Sequence, residues 1–102
     1  MKDLIEKIIS EIPEDVISLE IAKARSEQDI LSDVIVPGIY INGITKQGKN
    51  FELEYWQEFK PKNFFAELLD LYDYQKIELV AKNIKEYFEN KGIKVNIRNL
   101  TF

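Results

Sequence analysis

Leu4, Ile5, Ile8, Ile9 and Ile12 recur at i, i+1, i+4, i+5 and i+8, which lines one face of a helix. Asp3 followed by Glu6 has the form of a capping box, so a first helix is predicted over 3–12, interrupted by Pro13. The next stretch fits two periods. Ile17, Leu19 and Ile21 alternate with Ser18 and Glu20 as a strand would, while Ile17, Ile21 and Ala24 also suit a helix; the strand is the expectation taken forward. Ser26 is placed to cap a short helical turn through Leu31. Val34-Ile35-Val36-Pro37-Gly38-Ile39-Tyr40-Ile41 is rich in β-branched residues and reads as a strand, which Pro37 and Gly38 assign to a sheet edge or to a bulge.

Thr45 to Asn50 is a polar, Gly-bearing connection, and Phe51 to Phe59 follows with period two, so the two strands are expected to pair as an antiparallel hairpin. Pro61 sets up a helix whose face is Phe64, Phe65, Leu68, Leu69 and Tyr72. A second part opens at Asp73, turns Ile77, Val80, Ala81, Ile84, Tyr87 and Phe88 inward, and closes at Gly92 as a C′ residue. Ile93, Val95 and Ile97 alternate with Lys94, Asn96 and Arg98 in a last strand. The expected architecture is α+β: one small domain over 1–102, ordered helix, strand, β-hairpin, two-part helix, strand, with helices packed on one face of a mainly antiparallel sheet.

Composition narrows the chemistry. The 102 residues contain no Cys and no His, which removes thiolate nucleophiles, Ser-His and Cys-His pairs and the usual zinc ligands. No catalytic residue, metal site or cofactor is expected. Fourteen Lys and Arg against eighteen Asp and Glu give a net charge of −4, the wrong sign for gripping a phosphate backbone, so nucleic acid is not the expected partner. Residues 1–33 hold nine acids and four bases, whereas 77–102 hold three and five, a dipole that steers a basic partner toward one end. Charges in Met1-Lys2-Asp3-Leu4-Ile5-Glu6-Lys7 interrupt any signal-peptide core and no long apolar run follows, so the expectation is cytoplasmic, without a membrane. Twelve Lys to two Arg, with many Ile and Asn, is the bias of AT-rich coding sequence, as in a low-GC bacterium or its phage.

The Phe51–Phe59 strand is the most informative segment. Phe51, Leu53, Tyr55 and Phe59 share one parity and face the helices, which sends Glu52, Glu54, Trp56 and Glu58 to the other face. With Ile39 and Ile41 inward on the neighbouring strand, Tyr40, Asn42 and Ile44 join them. The expected partner-binding set is Tyr40, Ile44, Glu52, Glu54, Trp56 and Glu58, an aromatic and acidic surface suited to a basic protein. The competing expectation is structural: Lys94 and Arg98 lie across from Glu52 and Glu54 as cross-strand ion pairs, and residues 13–33 cover Trp56.

An enzyme reading rests on element order together with Asp33 before a strand and Glu58-Phe59-Lys60 ending one, with Glu6 or Glu11 as a further ligand. This resembles the core of the PD-(D/E)XK nucleases, which implies carboxylates holding magnesium and a Lys orienting water. Against it, Lys60 directly precedes Pro61, the Asp33–Glu58 separation is long and the charge opposes a nucleic-acid substrate. The same order also looks like that of phage tail-completion and connector proteins, which form rings through edge strands; order alone carries that likeness. The sequence therefore favours a non-enzymatic binding module, a stoichiometric inhibitor of the immunity, antitoxin or phage anti-defence type. A virion-assembly component, a magnesium nuclease and a plain homo-oligomer are the alternatives.

Overall fold

The computed structural model describes residues 1–25, 36–60 and 72–101, and among these residues there are six regular elements and one 3-10 turn. They are α1 (Lys2–Glu11), β1 (Val16–Arg25), β2 (Gly38–Thr45), β3 (Asn50–Tyr55), the 3-10 turn Gln57–Phe59, α2 (Tyr74–Glu89) and β4 (Lys94–Thr101). The strands form one mixed sheet in the order β3-β2-β1-β4, in which β1–β2 and β2–β3 are antiparallel and β1–β4 is parallel. The α+β architecture is the one the periodicity predicts. The Ser26–Leu31 turn, Val34, Ile35, Asp33 and the helix expected from Pro61 lie outside the described residues.

Alternation decides which side of each strand is buried. Leu19 and Ile21 of β1, Ile39 and Ile41 of β2, Tyr55 of β3 and Val95 of β4 share one face and are buried against Leu4 and Ile8 of α1, Ile12 at its C-terminal end, and Ile77, Val80, Ala81, Ile84 and Phe88 of α2. Sinking an Ile or Val of this set contributes about 1.5–3 kcal/mol, so the helix-covered face supplies the bulk of the folding energy. Lys23, on the same face, reaches Glu78 of α2 at 2.8 Å and ties sheet to helix. Asp73 caps α2 by accepting from the Lys76 N–H at 3.0 Å, as the sequence predicts, while Gly92 takes φ +80 one residue beyond the expected C′ position, since Asn90 is the C-cap and Lys91 follows it.

Five further local expectations are corrected. The capping box does not form: α1 begins one residue earlier, after Met1, and no side chain caps it. Tyr87 is not inward; it stands at the border of the apolar stripe of α2, exposed, with its ring edge-on to Phe88 and under Lys91. β2 is neither an edge strand nor bulged at Pro37: it lies between β1 and β3 with regular register from Gly38 to Ile44, and Pro37 precedes its first residue, so the missing N–H costs no ladder bond. Gly38 instead answers to space, because a Cβ there would stand 2.4 Å from the Tyr55 carbonyl oxygen. β3 ends at Tyr55, four residues early, as Trp56 leaves the extended region at φ −134, ψ −31 and the chain turns into the 3-10 segment. Finally, β4 does not face β3 but pairs with β1 at the opposite edge of the sheet.

Candidate acidic patch on the open sheet face

On the side of the sheet away from α1 and α2, the register sets Tyr40 beside Glu54, Asn42 beside Glu52 and Ile44 beside Asn50. Period-two geometry puts the Glu52 and Glu54 stems roughly 7 Å apart along β3, both exposed. Tyr40, Asn42, Glu52 and Glu54 line a shallow trough of about 180 Å³ between the two strands. Ile44 is half-buried at its end.

Charge on this face is unevenly matched. Glu20 in the centre of the sheet takes Arg98 at 3.1 Å. Among the described residues no cation pairs with Glu52 or Glu54. The cross-strand pairs expected from Lys94 and Arg98 are absent because those bases stand two strands away, beyond β2 and β1. The Tyr40 hydroxyl donates to the Val36 carbonyl at 2.7 Å. Its ionisation is pushed up by burial first, then by the Glu54 carboxylate and by Tyr72, so it stays a neutral donor at physiological pH.

The other two predicted site residues leave the patch. Trp56, past the strand end, is half-buried against the start of β2 and has the Lys60 ammonium 4.8 Å from its ring centroid. Glu58 turns to the helix side. It lies 3.6 Å from Lys7 of α1, and its Oε2 is buried with no hydrogen-bond partner among the described residues. Nearby, the Tyr55 hydroxyl donates to Glu11 Oε2 at 3.0 Å. Burial, that hydrogen bond and the charges of Glu11 and Glu58 hold the Tyr55 phenol well above the ordinary tyrosine range.

Of the residues the nuclease resemblance names, Asp33 lies outside the described residues, and Glu11 and Glu58 both stand near the Tyr55 phenol. Glu58 faces α1 while Lys60 lies over the Trp56 ring, and among the described residues no three acidic side chains converge. Two clefts had no sequence signal because non-local packing makes them. One, of about 340 Å³, is walled by Lys23, Arg25, Tyr74, Glu78 and Asn99, with Arg25 stacked on Tyr74 at 4.8 Å. The other, of about 380 Å³, lies where α1 and α2 end, between Ile9, Ile12, Pro13, Tyr87 and Lys91. No described helix is long and apolar enough to cross a membrane. Comparison with protein-family models, curated proteins and solved structures finds no match to this chain.

Proposed function

We propose that this chain is a non-enzymatic protein-binding module that presents Tyr40, Asn42, Ile44, Glu52 and Glu54 to a basic protein, and that it acts as a stoichiometric inhibitor. One observation carries the reading: Glu52 and Glu54 stand exposed on one face of a strand with no cation opposite them among the described residues. Two neighbouring like charges add nothing to the fold. Fixed on a rigid strand, they need no reordering to meet a partner's Lys or Arg, and their field raises the encounter rate. Tyr40 and Asn42 beside them supply a phenol and an amide for hydrogen bonds, and a chain without Cys or His has little to offer as a catalyst.

The test is capture from lysate of the source cell with wild-type bait beside a folded Glu52→Lys/Glu54→Lys bait, followed by purification of what only the wild type retains. The expected catch is a basic protein whose own activity falls to zero at one equivalent and recovers in high salt. Identical catches from both baits would remove the patch from the reading, and a catch whose activity is unaffected would remove the inhibitor.

A further inference from the structure

The acidic edge is matched by a basic one on the same molecule. Among the described residues β3 is hydrogen-bonded only on its β2 side and β4 only on its β1 side, so each is an edge of the described sheet with one row of backbone groups directed outward. On the open face β3 carries Asn50, Glu52 and Glu54, and β4 carries Lys94, Asn96 and Arg98. On the helix-covered face β3 carries Phe51 and Leu53, both half-buried, and β4 carries Val95 and the half-buried Ile97.

We propose that copies of this chain associate head to tail, β3 of one copy pairing in parallel with β4 of the next to continue the sheet. The proposal rests on the reading that Glu52 and Glu54 take a basic protein surface, and it names that surface as the β4 edge of a second copy.

Geometry leaves three ways to join such sheets with their open faces on the same side. A two-fold axis along the sheet normal pairs β3 with β3 or β4 with β4, antiparallel; any other continuation pairs β3 with β4. β3, antiparallel to β2, runs the same way as β1 and β4, so that junction is parallel. The two-fold joints set Glu52 and Glu54 against their own copies, or Lys94 and Arg98 against theirs, and like charges across a strand pair are destabilising.

The head-to-tail joint sets no like charges opposite each other and has complementary pairs on both faces. With Glu54 beside Arg98, Asn50 falls beside Lys94, Phe51 beside Val95, Glu52 beside Asn96, Leu53 beside Ile97 and Tyr55 beside Asn99. Lys94 is then diagonal to Glu52, within reach of a long side chain. Apolar meets apolar at Phe51–Val95 and Leu53–Ile97 on one face, and on the other Glu54 meets Arg98, which also holds Glu20 of its own copy at 3.1 Å, with Lys94 diagonal to Glu52. Because the contact is heterologous it repeats, giving a ring where the rotation closes and a filament where it does not.

Sedimentation and light scattering of the full chain, over concentrations up to millimolar and at low and high salt, read the outcome. Wild type is expected to exceed the monomer mass with rising concentration and to return to it in high salt. Glu52→Lys/Glu54→Lys leaves both edges basic and Lys94→Glu/Arg98→Glu leaves both acidic. Each variant alone, verified as folded by circular dichroism, is expected to be monomeric. An equimolar mixture of the two, or all four changes in one chain, is expected to regain assembly. A wild type that stays monomeric throughout overturns the proposal, as does assembly that persists in either double variant. A monomeric chain that still captures a basic protein through Glu52 and Glu54 overturns this inference and leaves the proposed function standing; a monomer that captures nothing overturns both.

Discussion

Phe51, Leu53 and Tyr55 alternate with Glu52 and Glu54 on one strand under one backbone geometry, yet the two sets answer to different demands. The first set packs against the core beneath α1 and α2, with Tyr55 fully buried. The second stands in solvent beside Tyr40 and Asn42. The carboxylates of the molecule divide in the same way. Glu11 and Glu58 lean on Tyr55 and Lys7 at the helix side, and Glu20 takes Arg98, whereas Glu52 and Glu54 have no such neighbour among the described residues. A charge with a structural partner is accounted for by the fold, and a charge without one is where a binding reading gains information.

The sharpest way to test the division is to cut on either side of one backbone position. Ile41 is about 1% exposed in the core, and Asn42, the next residue, faces solvent. Ile41→Ala is expected to cost about 2–5 kcal/mol through lost burial and the cavity left behind. Asn42→Ala is expected to shift stability by no more than about 0.5 kcal/mol. Urea unfolding of both variants reads this directly, and equal midpoints would mean that the two faces are not energetically distinct.

A smaller effect belongs to Tyr55, where the inner face meets its own carboxylates. Tyr55→Phe removes the hydrogen bond to Glu11 and is expected to cost about 1 kcal/mol near neutral pH. The sign with pH follows from the raised phenol. The fold favours the neutral form, so this contribution is fully present below about pH 10, where the unfolded tyrosine titrates, and is lost as pH climbs toward the higher folded value. The gap between wild type and Tyr55→Phe should therefore be constant from neutral to mildly alkaline pH and close above it. A gap that widens in alkali would mean that the phenol is not held neutral by the fold.

Local alternation was legible in the sequence, and non-local pairing was not. Val95 and Ile97 announced their strand by repeating every two residues, Ile39 and Ile41 by β-branched richness, and Leu19 and Ile21 fitted a strand period that a helix period rivalled. The parity of Glu52 and Glu54 followed from the two-residue repeat. It failed at Glu58, because the four-residue spacing from Tyr55 to Phe59 suits a continued strand and a turn alike, and only the break at Trp56 distinguishes them. That β4 lies against β1 rather than beside β3 is written in no local pattern. It depends on a parallel crossover through α2, and with it went the expected ion pairs to Lys94 and Arg98.

The smallest expected effect on stability carries the largest on binding. Glu52→Gln/Glu54→Gln keeps the shape and hydrogen-bonding reach of both side chains and removes only their charge, so no core contact changes. Thermal unfolding is expected to move by no more than about 0.5 kcal/mol, and toward greater stability if anything, since two like charges on one strand face are relieved. The same variant is expected to lose the salt-dependent part of every association made through this edge, whether with a second copy or with another basic protein. A marked loss of folding stability would show that the two carboxylates have a structural partner, and the contrast between the faces of β3 would then lose its functional meaning.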